Sequence, residues 1–489
     1  MPIKLIKKLG TFVFSDGGTI KARVLRSGIW VGAGQVGVQL LSVVRSIALA
    51  RLLTPDVFGF MALAMIAIRA IETFTRPGIA QALIARQAQF EDAGATAFTL
   101  LVARGVLLSL ALVAAAPFVA HFYEAPELET VLKVLSVTFV ITGLGNINTI
   151  ARQRELEFRR LTYIGQASNL VGTIVTVAIA WWLRSVWALV AGLIIQVSAN
   201  AALSYIFVGG RMQFAFNAEV ARDLLRYGKF ITASAIVTFV ITELDSAVIG
   251  KLLGTTQLGF YALAATVATM ATLSVSQIAS GIMMPAYSKL QSDLPRLRGA
   301  YLRALSLVAF LVAPVSAGLI CLAEPLLHVV YGEKWLAAAL PLQVLAFVGL
   351  PRALLIFNGY LFEGIGKPKV AFQLGLLRLA IIGPLVVPMV KAYGLLGAAL
   401  TVAIGGVVQW LAGLVYLRRY AAIGLSALLA TIWRPIWTAL AMSLVVIGVN
   451  ALLDTRTLMG LTAAVCSGIA TYLLLNARML QELKNERMA

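Results

Sequence analysis

The chain has 489 residues, of which 60% are hydrophobic and only 12% charged, and its mean hydropathy is +0.91. A soluble domain is about half apolar and about a quarter charged, so this chain lacks the polar surface to face water on all sides. The net charge of +19 suggests nucleic acid, but the basic residues sit in short loops between apolar runs, which excludes that partner and marks loops held on the cytoplasmic side.

The N-terminus, MPIKLIKKLGTFVFSDGG, is basic, and its apolar run is short and broken by Ser15, Asp16 and Gly17. It reads as a cytoplasmic amphipathic stretch lying on the membrane surface, not as a cleaved signal. The first membrane span is predicted near 28–53. Gln35, Gln39, Ser42 and Ser46 share a narrow arc at helical spacing, with Gly28 and Gly32 on the same side and Arg45 at its shoulder. A small-residue packing face would look similar, but an Arg about two-thirds across favours an arc that faces a lumen. The second span, 57–80, places Arg69, Glu72 and Arg76 on one face at i, i+3 and i+7. Glu72 neutralises one Arg and leaves the face positive, and the planar guanidinium fork suits a diphosphate. The plainer alternative is an internal Glu72–Arg76 salt bridge.

Spans at 95–117, 130–150, 163–183 and 185–208 complete a first group of six, in which Arg104 and Lys133 are placed to snorkel to an interface. A second group follows at 228–252, 258–284, 299–323, 336–358, 370–391 and 394–417, and a last pair at 431–453 and 457–476. The seventh span carries a polar line of Ser234, Thr238, Thr242 and Asp245, with Glu243 on the opposite side. Arg352 and Arg378 lie in the tenth and eleventh spans. Ionisable residues inside a membrane are candidates for function by default. Cys321 and Cys466 stand alone in apolar helices and read as core residues. His121 and His328 have no Cys or carboxylate cluster at ligand spacing, so no metal site is predicted. No GxxxxGK[ST] nucleotide loop occurs.

With the N-terminus inside, the inner loops carry most of the Lys and Arg, while the outer loop from His121 to Glu129 is acidic; both ends are therefore expected to be cytoplasmic. The run RLLTPDVFGFMALA at 51–64 returns as KLLGTTQLGFYALA at 251–264, with seven of fourteen positions identical. Register and location point to duplication of a six-span unit. Six is even, so the copies enter the membrane in the same direction, related by an axis along the normal. The expected fold is an all-α integral membrane protein of about fourteen helices, in two six-helix lobes plus two C-terminal helices. Its parts are a basic N-terminus (1–27), an N-lobe (28–210), a cytoplasmic linker (211–227), a C-lobe (228–420), and the last two helices with a tail (421–489). The repeat offset of 200 pairs Arg45 with Asp245, and a pair formed in one state only would act as a gate latch.

The segment LARLLTPDVFGFMALA, after a first helix rich in Gly and Gln and before an Arg-bearing second helix, resembles Wzx-type oligosaccharide flippases, the polysaccharide-transporter branch of the MOP exporter superfamily. The resemblance implies transport and no catalysis: an undecaprenyl-diphosphate-linked oligosaccharide moves across the bacterial cytoplasmic membrane for O-antigen, capsule or exopolysaccharide synthesis. It implies membrane lipids, and a polysaccharide polymerase and chain-length proteins, as partners. The candidate diphosphate and sugar ligands are Arg45, Arg69, Arg76, Arg352, Arg378, Gln35 and Gln39. Asp245, Glu243 and Glu72 are candidates for gating or for proton or sodium coupling, with no other cofactor expected. A multidrug antiporter or a peptidoglycan-precursor flippase of the same superfamily is the runner-up. An antiporter of cations would carry acidic residues where this chain carries mostly Arg. A membrane sugar polymerase would need a large outer loop for its catalytic groups, and every outer loop here is short.

Overall fold

The structure, a computed structural model, describes residues 20–75, 79, 82–83, 90–155, 157–210, 214–227 and 229–477. The N-terminal stretch, Arg76, the side chain of Ser234 and the tail beyond 477 lie outside the described residues. Among the described residues the regular structure is helical, with no strand. This follows from the bilayer, where every backbone N–H and C=O must be satisfied within its own segment. Among the described residues, nine helices are long and apolar enough to cross a membrane, or up to eleven if each of two bent pairs is one span.

The chain divides into two compact units, one of residues 1–53 and 64–239 and the other of 54–63 and 240–489. In the first unit, α1 (Ile20–Leu52) packs on α7 (Phe158–Leu183), and α7 packs on α8 (Val186–Val208). Helix α2 (Pro55–Phe74) contributes its later turns here, and α3 (Phe90–Phe122) lies against α4 (Glu127–Leu135) and α5 (Val137–Gly143). Association of helices in lipid relies on close backbone approach and polar contacts between them. Both occur here: a methyl group at Gly192 would sit 1.7 Å from Thr176 Oγ1, and Gln166 Nε2 donates to the Gly34 carbonyl at 2.5 Å. At the end of α7, Trp181 and Trp182 are exposed, as expected of an aromatic belt.

The fourth span, predicted as one helix over 130–150, is instead broken. Glu127–Gly143 and α6 (Asn148–Arg154) meet at 58°. Asn146 holds the break: its Nδ2 donates to the carbonyls of Ser204 and Gly209 at 3.1 and 2.7 Å, and its Oδ1 accepts from Asn148 N at 3.0 Å. Tyr205 OH donates to the Leu144 carbonyl at 2.8 Å. A short amphipathic helix, α9 (Ala218–Tyr227), follows.

Two further helices are too long for one crossing. Helix α10 (Lys229–Leu290) has 62 residues, and 62 residues of ideal helix would extend roughly 93 Å, about three times a hydrocarbon core. It is interrupted at Gly254, φ 83°, in the gap between the seventh and eighth predicted spans. Helix α14 (Pro368–Ala421) is interrupted in the same way at Gly394, φ 58°, where the eleventh and twelfth spans were expected to meet. Only glycine takes such a φ without strain.

In the second unit, α11 (Leu294–Leu326) packs on α12 (Ala339–Phe347), α13 (Gly349–Gly364) and α15 (Leu425–Leu452), and α15 packs on α16 (Leu458–Leu475). Tyr287, Tyr301, Leu361 and Phe362 belong to its largest described core. The tenth span, predicted over 336–358, is also broken, at 42° between Glu333–Phe347 and α13. Pro351 explains the site of the bend: it cannot donate to the carbonyl four residues back, at Phe347. Counted in predicted spans, the two broken ones are the fourth and the tenth, which are equivalent under a six-span repeat.

The repeat also shows in packing within this second unit. A methyl at Gly59 would sit 1.7 Å from the Thr255 carbonyl oxygen, and one at Gly259 would sit 1.8 Å from the Pro55 carbonyl oxygen. The contacts are reciprocal at an offset of 200, as for two copies of one segment meeting across a local two-fold. The Asp56 carboxylate accepts from the hydroxyls of Thr255 and Thr256. Trp335, fully buried, takes Phe58 and Phe260 edge-on at 5.0 and 6.0 Å. Gly59→Ala or Gly259→Ala should therefore lower the thermal midpoint of purified protein, at about 1–3 kcal/mol or more for forced overpacking. Gly318→Ala, whose methyl would meet nothing within 4 Å, should leave the midpoint unchanged or raise it. Equal midpoints for all three would refute the close crossing.

Candidate functional site

The predicted residues fall into two groups, one in each unit. In the first unit, Gln35 and Gln39 are half-buried on α1. Arg45 continues the stripe of Gly34 and Gly37, which pack against Thr162 and Gln166 of α7. Its Nη1 donates to Gln196 Oε1 of α8 at 3.3 Å. Gln196 itself lies across Gly172, where a methyl would sit 2.5 Å from its Cβ. Arg45 thus has a polar partner within its own unit.

Arg69 and Glu72 are exposed on α2. Arg104 turns to the end of α2. Its Nε donates to the Thr75 carbonyl at 3.0 Å, and its Nη2 donates to the Glu72 carbonyl at 3.1 Å. A cation on the last carbonyls of a helix is favourable, because that end carries partial negative charge. Lys133 pairs with Glu129 at 2.6 Å. The alternative Glu72–Arg76 bridge involves Arg76 and lies outside the described residues.

The second group is tighter. Asp245 lies in the first part of α10 and Tyr261 beyond the Gly254 interruption, so the turn at Gly254 lets one helix element bring both together. Tyr261 OH donates to Asp245 Oδ2 at 2.5 Å, and the Ser246 amide donates to Asp245 Oδ1 at 2.8 Å. Tyr261 is 1% exposed. Arg352 on α13 and Arg378 on α14 both interact electrostatically with Asp245 and with Tyr261.

Each arginine is placed by a backbone feature. Arg352 stands one turn past the Val348 bend, its amide donating to the Val348 carbonyl at 2.9 Å. Arg378 runs beside Gly405 of the same long helix element, where an added methyl would come within 3.4 Å of its Cγ. Glu243, on the other side of α10 in the sequence reading, is 9% exposed and adds repulsion at Asp245.

Hydrogen bonding does not balance in this group. Two half-buried guanidinium groups act on Asp245, which accepts from Tyr261 and Ser246 and has Glu243 as a second carboxylate beside it. The two arginines repel each other, and Arg378 Nε is buried without a hydrogen-bond partner. Buried donors in this position are costly unless something accepts from them. The arrangement is a socket for an oxyanion, which would supply acceptors and negative charge together. Sequence reasoning found Asp245, Arg352 and Arg378 but missed Tyr261 and Gln196. Tyr261 was visible as a mismatch in the repeat, where the first copy has Met61; Gln196 was visible as one of two amides, with Asn200, in an apolar span.

The family described as "Polysaccharide biosynthesis protein" matches residues 48–340, more than half of the chain. The chain is 27% identical to the teichuronic acid biosynthesis protein TuaB of Bacillus subtilis, over 84% of its own length and 86% of that protein. It is 26% identical to the lipopolysaccharide biosynthesis protein WzxC of Escherichia coli, over 78% of each. The structure is similar to that of the lipid II flippase MurJ in an inward closed conformation, with a TM-score of 0.75 over 92% of this chain and 98% of that one, at 15% identity. That likeness is one of fold.

Replacing Arg378 with Met should raise the thermal midpoint of the empty protein. It removes an unpartnered buried donor worth about 1–3 kcal/mol and leaves Arg352 matched with Asp245. A lower midpoint for Arg378→Met in differential scanning fluorimetry would contradict the unfilled socket.

Proposed function

Since the chain belongs to the polysaccharide biosynthesis protein family, we propose that it is a flippase that moves an undecaprenyl-diphosphate-linked oligosaccharide across the bacterial cytoplasmic membrane for surface polysaccharide synthesis. One observation carries the reading to a phosphate-bearing cargo: Arg352 and Arg378, both within apolar helices, lie close enough to repel each other, and Arg378 Nε is a buried donor with no acceptor from the protein. Such a pair of guanidinium groups suits an anion.

The sugars occupy a polar lumen, for which Gln35, Gln39 and Arg45 are the candidates in the first unit, with Arg69 and Arg76 as a capture face. The lipid tail remains in the bilayer, and the duplicated halves alternate access between the two faces. Both termini are cytoplasmic, as the distribution of basic loops requires. The chain transports and does not catalyse. An inside-negative membrane potential drives an anion outward by about 2.3 kcal/mol per charge per 100 mV. Proton or sodium coupling through Asp245, Glu243 or Glu72 would add to this.

Deletion of the gene should abolish a surface polysaccharide with growth retained, and lipid-linked oligosaccharide should accumulate in the inner leaflet. Arrested growth would favour a peptidoglycan precursor as cargo, and drug sensitivity alone would favour an antiporter. Arg352→Ala and Arg378→Ala, at normal protein levels, should each cut export about tenfold or more, the scale of one lost charge-assisted hydrogen bond. Unchanged export in the double variant, read by quantifying polymer at the cell surface, would remove these residues from the transport path.

A further inference from the structure

The turn between α13 and α14, together with the far end of α14, carries four exposed basic residues: Lys367, Lys369, Arg418 and Arg419. The sequence reading expects both segments on the cytoplasmic side. Among the described residues none of the four makes an ion pair. Glu363, one turn before Lys367, makes none either. With Glu363 counted, positive charge at this end of the two helices still exceeds negative. Arg152 and Arg296, on other loops expected on that side, are by contrast each paired with a carboxylate of the same loop.

The backbone fixes where these cations stand. Helix α13 closes at Gly366, φ 71°, whose amide donates to the Glu363 carbonyl at 3.1 Å, while the Lys367 amide donates to the Phe362 carbonyl at 2.7 Å. This left-handed closure satisfies the last carbonyls of α13, and α14 begins at once with Pro368. The two halves of α14 lie side by side. A methyl at Gly405 would come within 2.5 Å of Ile382 Cγ2, and one at Gly413 within 3.9 Å of Leu374 Cδ1. Tyr416 OH donates to Gln373 Oε1 between the halves at 3.3 Å. The start of α14 therefore meets its end. Lys367 Nζ and Arg419 Cζ each lie 5.6 Å from the ring centre of Tyr420, and that ring stacks on Tyr416 at 6.4 Å, 7° from parallel. Val370, Leu417 and Ala421 root the arrangement in the core of the unit.

An aromatic ring seats cations but brings no net charge, so the positive excess persists. One turn further into the spans the surface becomes apolar: Phe372 and Val415 are 39% and 68% exposed. Unpaired cations beside exposed apolar side chains fit a ligand with an anionic head and an acyl tail. We propose that Lys367, Lys369, Arg418 and Arg419, ordered by Tyr416 and Tyr420, form a headgroup site for an anionic phospholipid of the surrounding leaflet. Its phosphate bridges Lys367 and Arg419, and its chains run along Phe372 and Val415. The bound lipid ties the α13–α14 turn to the far end of α14. This site is not the Arg352–Arg378 group, since the helix from Lys369 to Arg378 extends roughly 14 Å.

The test is native mass spectrometry of the full chain, released from detergent micelles that hold dioleoyl phosphatidylglycerol or dioleoyl phosphatidylcholine. The parent should retain phosphatidylglycerol at concentrations where it sheds phosphatidylcholine, and equal retention of both would overturn the site. Lys367→Gln combined with Arg419→Gln should weaken phosphatidylglycerol retention about thirtyfold, because each basic residue at an anionic membrane surface is worth about fivefold. Both side chains are exposed, so the thermal midpoint without lipid should stay that of the parent. Arg296→Gln combined with Arg298→Gln removes the same charge from another loop and should change retention little. An equal loss there would mean diffuse attraction without a site. Tyr420→Phe should bind as the parent does, and Tyr420→Leu several-fold more weakly, because the ring rather than its hydroxyl seats the cations. Inorganic phosphate in millimolar excess should leave the lipid bound; its complete displacement would show a phosphate site that needs no lipid.

Discussion

The constraint that organises this protein is the cost of an unmatched polar group in a medium without water. In the bilayer each backbone amide must find its partner within the segment, and each charge must find an opposing one or stay out. The break in the fourth span meets that demand: Asn146, Asn148, Ser204 and Tyr205 supply partners for the polar groups a helix break sets free. The break in the tenth span meets it for the backbone and then presents an arginine one turn on. In the Asp245–Arg352–Arg378 group the two arginines repel each other and Arg378 Nε has no acceptor from the protein.

The contrast between equivalent positions sharpens the point. Gene duplication supplies two copies of one framework, and the Gly59–Gly259 crossing preserves the framework almost atom for atom, because any side chain there would collide with a backbone carbonyl. Away from such crossings the copies are free to diverge. Position 61 is Met and position 261 is Tyr; position 45 is Arg and position 245 is Asp. In the first unit Arg45 has become one half of an amide contact with Gln196. In the second unit the aspartate has recruited a tyrosine and two arginines. Symmetric packing with asymmetric chemistry is what a carrier of a polar, asymmetric cargo requires, since the cargo presents phosphate at one end and sugar at the other.

The fold was largely legible in the sequence because its signals are local. Apolar length sets the spans, and the 51–64 and 251–264 segments disclose the duplication. Even the interruptions at Gly254 and Gly394 fall where adjoining apolar runs were separated. The two broken spans were not foreseen, because hydropathy averages over a bend: residues 130–150 and 336–358 are apolar enough to pass as straight helices. Pro351 was the local signal for one of them. The site was legible only in part for a related reason. Arg352, Arg378 and Asp245 stand out as charges in apolar runs, whereas Tyr261 is an ordinary membrane residue until its hydroxyl is seen against a carboxylate. Arg104 stood out equally and turned out to cap α2. A charge in a span therefore locates a polar demand without saying whether backbone or ligand satisfies it.

That distinction decides which arginines belong to a transport path. Arg104 spends donors on carbonyls of the helix end, and Arg45 spends one on Gln196. Arg378 is different: its Nε is enclosed by its own unit and still lacks an acceptor. A water molecule accepts a hydrogen bond but brings no charge, and the mutual repulsion of Arg352 and Arg378 would persist beside it. Only an anion relieves both the missing acceptor and the repulsion at once.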